Sequence, residues 1–134
     1  MIFVDTSALY ALANEKDPDH ERAQQIFNRL LDEKSALVTH NYVLVEATSL
    51  IQNRLGLRVA RHVADECRRF TIIWVDELLH QEAVLRWANG RRTLSLVDSV
   101  SFAVMKQYGI DTAFAFDSDF VAAGFNVLNA TRRR

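Results

Sequence analysis

Five carboxylates occupy places where an acid is unusual. Asp5 directly follows the apolar run at 1–4, and Asp117 and Asp119 directly follow the apolar run at 112–116. Glu46, if helical, projects within about 60° of Val43 and Leu50. Asp98 stands in line with Phe102 and Met105 at i+4 and i+7. An acid on an apolar face loses hydration, which is costly unless a cation or hydrogen bond compensates it. Taken singly, each has a plainer account: a helix cap for the strand-end acids, a rim position or a salt bridge to an arginine for Glu46, and the helix dipole for Asp98. Drawn together, four such groups cannot all ionise without a cation. Oxygen-only ligation selects a hard ion, Mg²⁺ or Mn²⁺.

The elements that must position these acids are legible from hydropathy. Short apolar runs predict strands at 1–4, 36–39, 71–75, 112–116 and 125–128. Helical spacing predicts helices at 8–13, from Pro18 through Leu31, from His40 or Asn41 to Gln52, and at 58–70, 77–89, 95–108 and 118–123. Pro18 suits a first turn, and Gly109 suits the position just past a helix end. In the 77–89 helix the expected core side is Leu78, Leu79, Ala83, Val84 and Trp87. Strands alternating with helices predict an α/β fold, a three-layer α/β/α sandwich with a mostly parallel central sheet. In such sheets ligands bind outside the carboxyl ends of the strands. Asp5, Asp117 and Asp119 share that side if their strands are parallel.

Composition sets the outer bounds. The 134 residues suffice for one domain, and 49% hydrophobic with 25% charged residues is a globular balance. Four Gly and one Pro exclude collagen-like, linker-like and disordered readings. The single cysteine, Cys67, permits neither an internal disulfide nor a cysteine-based zinc site. No signal-peptide pattern is visible and no apolar run is long enough to span a bilayer, so a cytoplasmic location is expected. A net charge of −1 argues against a strongly basic nucleic-acid binder. Setting Asp5, Glu46, Asp98 and Asp117 aside moves it from −1 to +3. The expectation is therefore an acidic pocket within a mildly basic, arginine-rich surface.

The acidic segments, in their order, resemble the PIN-domain nucleases, and among these the VapC-type toxin ribonucleases of type II toxin–antitoxin modules. Ile2-Phe3-Val4-Asp5-Thr6-Ser7-Ala8-Leu9 resembles the family's first motif, and Val45-Glu46 falls where it places its second acid. Leu94-Ser95-Leu96-Val97-Asp98-Ser99 resembles its third motif, and Phe116-Asp117-Ser118-Asp119-Phe120 its last. The resemblance spans nearly the whole chain and implies a single PIN-like nuclease domain over 1–134. It implies metal-dependent endonucleolytic cleavage of RNA. Asp5 and Asp98 would be the principal metal ligands, with Glu46 and Asp117 completing the catalytic site. Asp119 would stand at its edge. Thr6 and Ser7 would support, by hydrogen bonds to water or a phosphate. The chain departs from the family at Ala115, where Thr or Ser is frequent. His40 is expected on a loop or the surface. The family's toxins are commonly homodimers, each blocked by a cognate antitoxin.

Thirteen of the sixteen basic residues are arginine, whose fork matches phosphate geometry. Arg91 and Arg92, just before the Asp98 segment, are the expected RNA-binding pair. Arg54, Arg58 and Arg61 share a helical side if Gly56 leaves the helix unbroken. Arg132, Arg133 and Arg134 form either a disordered tail or a further phosphate contact. Three alternatives compete. One is a PIN-like binding module without activity. A haloacid-dehalogenase-type enzyme would need its Asp-x-Asp early, with a Lys and further acids downstream. A receiver-type domain needs a Lys after its last strand, and Lys16, Lys34 and Lys106 are not so placed.

Overall fold

Five short strands form the centre of the computed structural model, which describes residues 1–129. They are β1 Ile2–Val4, β2 Leu37–His40, β3 Thr71–Ile73, β4 Thr112–Phe114 and β5 Asn126–Val127. Their order is β3-β2-β1-β4-β5 and every pairing is parallel. β1 is central, as an unalternating apolar run requires, with Phe3 and Val4 fully buried. The chain steps outward from β1 to β3, then returns to β4 on the other side. The topological switch point therefore lies between β1 and β4, at the strand ends that Asp5 and Asp117 follow. The arginines at 132–134 lie outside the described residues.

Helices α1 Thr6–Ala13, α2 His20–Asp32, α3 Asn41–Leu55, α4 Leu57–Glu66, α5 Glu77–Ala88, α6 Leu96–Gln107 and α7 Asp119–Ala122 connect the strands. Side-chain caps start four of them: Asp5, His40, Asp76 and Ser95 accept from the amides of Ser7, Val43, Leu79 and Asp98. Pro18 precedes the Asp19 cap of α2 rather than entering its first turn. The expected 58–70 helix is α4 followed by a 3₁₀ turn, Cys67–Arg69, with the Cys67 thiol buried. Gly56 breaks the expected continuity, because its φ of +97° ends α3 and restarts the chain as α4. Arg54 is thus separated from Arg58 and Arg61, and the three do not share one helical side.

The core joins both helical layers to the sheet. Phe120 stacks on Phe3 at 6.1 Å and meets Phe102 edge-on at 5.0 Å, which locks α7 and α6 onto the central strand. The expected core side of α5 is corrected: only Leu79 and Ala83 are buried, while Leu78 and Trp87 are 66% and 44% exposed. α5 packs chiefly on α6, so one narrow i, i+4 stripe suffices to cover the contact. No helix among the described residues is long and apolar enough to cross a membrane.

Candidate metal centre

Three consecutive residues at the end of β1 organise the site. The Asp5 carboxylate, only 4% exposed, accepts from the Ser7 hydroxyl at 2.6 Å and from the Ser7 amide at 3.1 Å. Ser7 Oγ in turn accepts from the Phe116 amide at 2.9 Å, which ties the end of β1 to the segment after β4. Thr6 Oγ1 donates to Glu46 Oε1 at 2.6 Å and so ties α1 to α3. The expected support from Thr6 and Ser7 is therefore directed at carboxylates within the protein. On the other side, Thr39 Oγ1 donates to the carbonyl of Val4 at 2.8 Å and holds β1 to β2.

Asp98 reaches the site as the third residue of α6. It shares a capping box with Ser95, whose hydroxyl accepts from the Asp98 amide at 3.1 Å. Asp117 Oδ1 accepts from the Asp119 amide at 2.9 Å, a short turn that keeps both acids beside Asp98. Asp5, Glu46, Asp98 and Asp117 line one pocket of about 420 Å³. Asp17, Asp19, Tyr10 and Phe116 line it too, and sequence reasoning assigned none of them a role in the site. Three had a signal: Tyr10 lies one helical turn beyond Thr6, and Asp17-Pro18-Asp19 is a turn sequence. A second cleft of about 300 Å³, walled by Leu9, Phe27, Val63 and Phe70, contains none of the predicted site residues.

Burial raises the proton affinity of Asp5 and Asp98. Burial pushes Asp5 up to about 6, the charge of Asp117 adds to this, and the Ser7 bonds work against it. Burial also pushes Asp98 up to about 6, reinforced by the charges of Asp5 and Asp117 and opposed by Ser95. One carboxylate oxygen each from Asp98, Asp117 and Asp119 lie within 4.8 Å of one another. This hard-oxygen donor set, beside carboxyls that resist ionising together, fits a divalent cation. The oxygen cluster includes Asp119, expected only at the edge, while Asp5 couples to it through Asp98 and Asp117. Ala115 is 1% exposed and presents no polar group.

His40 is corrected from a loop or surface residue to a fully buried one. Its Nδ1 accepts from the Val43 amide at 3.3 Å, and its Nε2 lies 2.9 Å from Ser101 Oγ, which donates to the Val97 carbonyl. These partners define the tautomer with the proton on Nε2. Burial lowers its pKa to about 3, so it stays neutral.

Basic residues frame the pocket. Arg91 pairs with Asp119 at 3.1 Å, and Arg92 is exposed beside it. Arg54 lies over the Tyr10 ring at 5.5 Å, and Arg22 over the Phe116 ring at 5.6 Å while pairing with Asp19.

A family profile described as the PIN domain matches residues 2–126. Over 129 residues the chain is 39% identical to the 23S rRNA-specific endonuclease VapC20 of Mycobacterium tuberculosis, covering 93% of this chain and 95% of that protein. The crystal structure of that VapC20, described as a sarcin–ricin loop cleaving toxin, aligns with a TM-score of 0.86 at 37% identity. The alignment covers 96% of this chain and 99% of that one. FitAcB from Neisseria gonorrhoeae shares the fold at TM-score 0.67 and 18% identity, covering 97% and 98% of the two chains. A toxin–antitoxin complex from Klebsiella pneumoniae shares it at 0.64 and 14%, covering 99% and 100%. Profile, sequence and fold coincide on the segments that carry the acids, and the chain belongs to the PIN-domain family.

Proposed function

We propose that this chain is a Mg²⁺- or Mn²⁺-dependent endoribonuclease acting as the toxin of a toxin–antitoxin pair. One observation carries the reading: carboxylates from four separate segments crowd into a single pocket at the switch point of the sheet. The 39% identity to a 23S rRNA-specific endonuclease supports RNA as substrate and makes ribosomal RNA the first to assay. The reading takes the whole chain, 1–134, as one nuclease domain.

Asp98, Asp117 and Asp5 would hold the ion, with Glu46 and Asp119 completing the set. Once bound, the ion acidifies water and offsets charge on the phosphate. The chain itself supplies orientation. Ser7 fixes the Asp5 carboxylate, Thr6 fixes Glu46, and the Ser95 capping box fixes the start of α6 that carries Asp98. Each acid thus meets its ligand with little rotamer freedom left to lose. Arg91 and Arg92 hold the RNA backbone beside the acids. The partners in this reading are RNA, a cognate antitoxin and a second copy of the chain. It works in the cytoplasm and not at a membrane.

Purified protein is expected to cleave ribosomal RNA when Mg²⁺ or Mn²⁺ is added, and Asp98→Asn is expected to abolish cleavage. Expression without a partner should arrest growth, and the same substitution should relieve the arrest. Cleavage that needs no metal, or that survives the substitution, refutes the nuclease reading. Metal binding with no cleavage of any RNA would leave a binding module in its place.

A further inference from the structure

The pocket poses an electrostatic problem that the acids cannot solve. A polyanion must approach a cluster of carboxylates, and a bound cation offsets only the charge at its centre. Cations are needed along the walls. Arg22 is paired with Asp19, Arg68 with Asp65, Arg69 with Glu66 and Arg91 with Asp119. Arg54 differs from these four. Among the described residues no carboxylate pairs with it, and its guanidinium lies over the Tyr10 ring.

That ring belongs to the pocket wall, and its position is itself fixed. Asn14 Nδ2 donates to the Tyr10 hydroxyl at 3.1 Å. Arg54 therefore has a seat but no counter-ion, which leaves its fork of donors available to a ligand. Its place along α3 is also informative. Glu46, Leu50 and Arg54 follow one another at i+4 spacing, and the first two line the pocket. At 1.5 Å rise per residue, Arg54 stands about 12 Å along the helix from Glu46. Arg91 enters from the other direction, on the β4 side, beside Asp119.

We propose that Arg54, seated on Tyr10, grips an RNA phosphate neighbouring the one cleaved, so that the strand crosses the acids between Arg91 and the α1–α3 wall. This rests on the nuclease reading and adds a strand path to it. Arg54 is a positioning residue for substrate.

The test is fluorescence anisotropy of the full chain with a labelled single-stranded RNA of mixed sequence. Calcium replaces magnesium, and potassium chloride is varied. Arg54→Gln is expected to weaken binding roughly tenfold and to reduce the slope of log K against log salt by about 0.7, one phosphate contact on a single strand. Arg54→Lys should keep the slope and recover part of the affinity, because it keeps the charge without the fork. Tyr10→Leu should keep the slope and lose affinity, because the cation remains but its seat is gone. Wild-type affinity and slope in Arg54→Gln overturn the proposal, and so does lost affinity with an unchanged slope. If the wild type cleaves RNA while Arg54→Gln binds normally, only this proposal fails. If the wild type neither binds nor cleaves any RNA, the nuclease reading fails with it.

Discussion

Replacing Asp5 with Asn should make the metal-free protein more stable while destroying its cleavage of RNA. In the folded chain the Asp5 carboxyl has a pKa of about 6, against its ordinary 3.8. A raised pKa means that the folded state binds the proton more tightly than the unfolded state. The stability this group contributes is therefore complete below pH 3.8, declines as pH rises through 6, and stays lost above that. A shift of about 2 units amounts to about 3 kcal/mol. Asp5 is only 4% exposed, so solvent screening removes little of this. Asn keeps an acceptor for Ser7 but gives up the charge assistance of those two bonds, about 1 kcal/mol. Its new amide hydrogens also need partners, which offsets more. The net gain above pH 6 is then about 1–2 kcal/mol, or roughly 4–8 °C in melting temperature for a chain of this size. Thermal unfolding followed by circular dichroism, with a chelator present and pH varied, measures it. The gap between variant and wild type should close as pH falls towards 3.8. Adding Mn²⁺ should raise the wild type and not the variant, because only the native wild type has the full site to bind it. An Asp5→Asn protein no more stable than wild type above pH 6 refutes the argument that the site stores electrostatic strain.

Two further substitutions separate orientation from packing. Ser7→Ala removes a donor to Asp5 and an acceptor from the Phe116 amide; it should cost about 2 kcal/mol of stability and push the Asp5 pKa further up, moving the acidic limb of the cleavage pH profile to higher pH. His40→Ala leaves the Val43 amide and Ser101 without their partner and opens a cavity; a denaturant titration should show a loss of about 2–4 kcal/mol at about pH 8, shrinking as pH falls below 6.5, because there the unfolded imidazole takes up a proton while the native one, with a pKa of about 3, stays neutral.

The positions of the acids were legible because two simple rules located them. Apolar runs without alternation mark buried parallel strands, and ligand sites gather at the carboxyl ends of such strands. Asp5, Asp117 and Asp119 follow from those rules, and Glu46 and Asp98 from carboxylates placed on apolar helical faces. What stayed hidden depends on contacts distant in sequence. His40 is polar and follows a strand, so a surface position was the natural expectation, yet Ser101, sixty-one residues later, accepts a hydrogen bond from its ring and makes burial tolerable. Trp87 and Leu78 satisfy a helical period, but α5 has a neighbour on one narrow stripe only, and periodicity does not reveal how wide the covered face is. Gly56 posed a question that only its backbone geometry answered, since a positive φ turns the chain out of α3.

The hydroxyls, more than the carboxylates, explain why the acids form a site. Burial and the charges of neighbouring acids make Asp5 and Asp98 costly to ionise. Asp5-Thr6-Ser7 reads locally as three helix-capping residues, and Asp5 does cap α1. Yet Thr6 spends its proton on Glu46, forty residues away, and Ser7 links Asp5 to the Phe116 amide 109 residues away. Thr39 holds the Val4 carbonyl, one peptide before Asp5. These bonds join the ends of β1, β2 and β4 to α1 and α3, so the carboxylates are aligned by the same contacts that hold the carboxyl end of the sheet together. The energy gained in folding is thereby used to hold like charges together, and a hard cation is the ligand that relieves that strain.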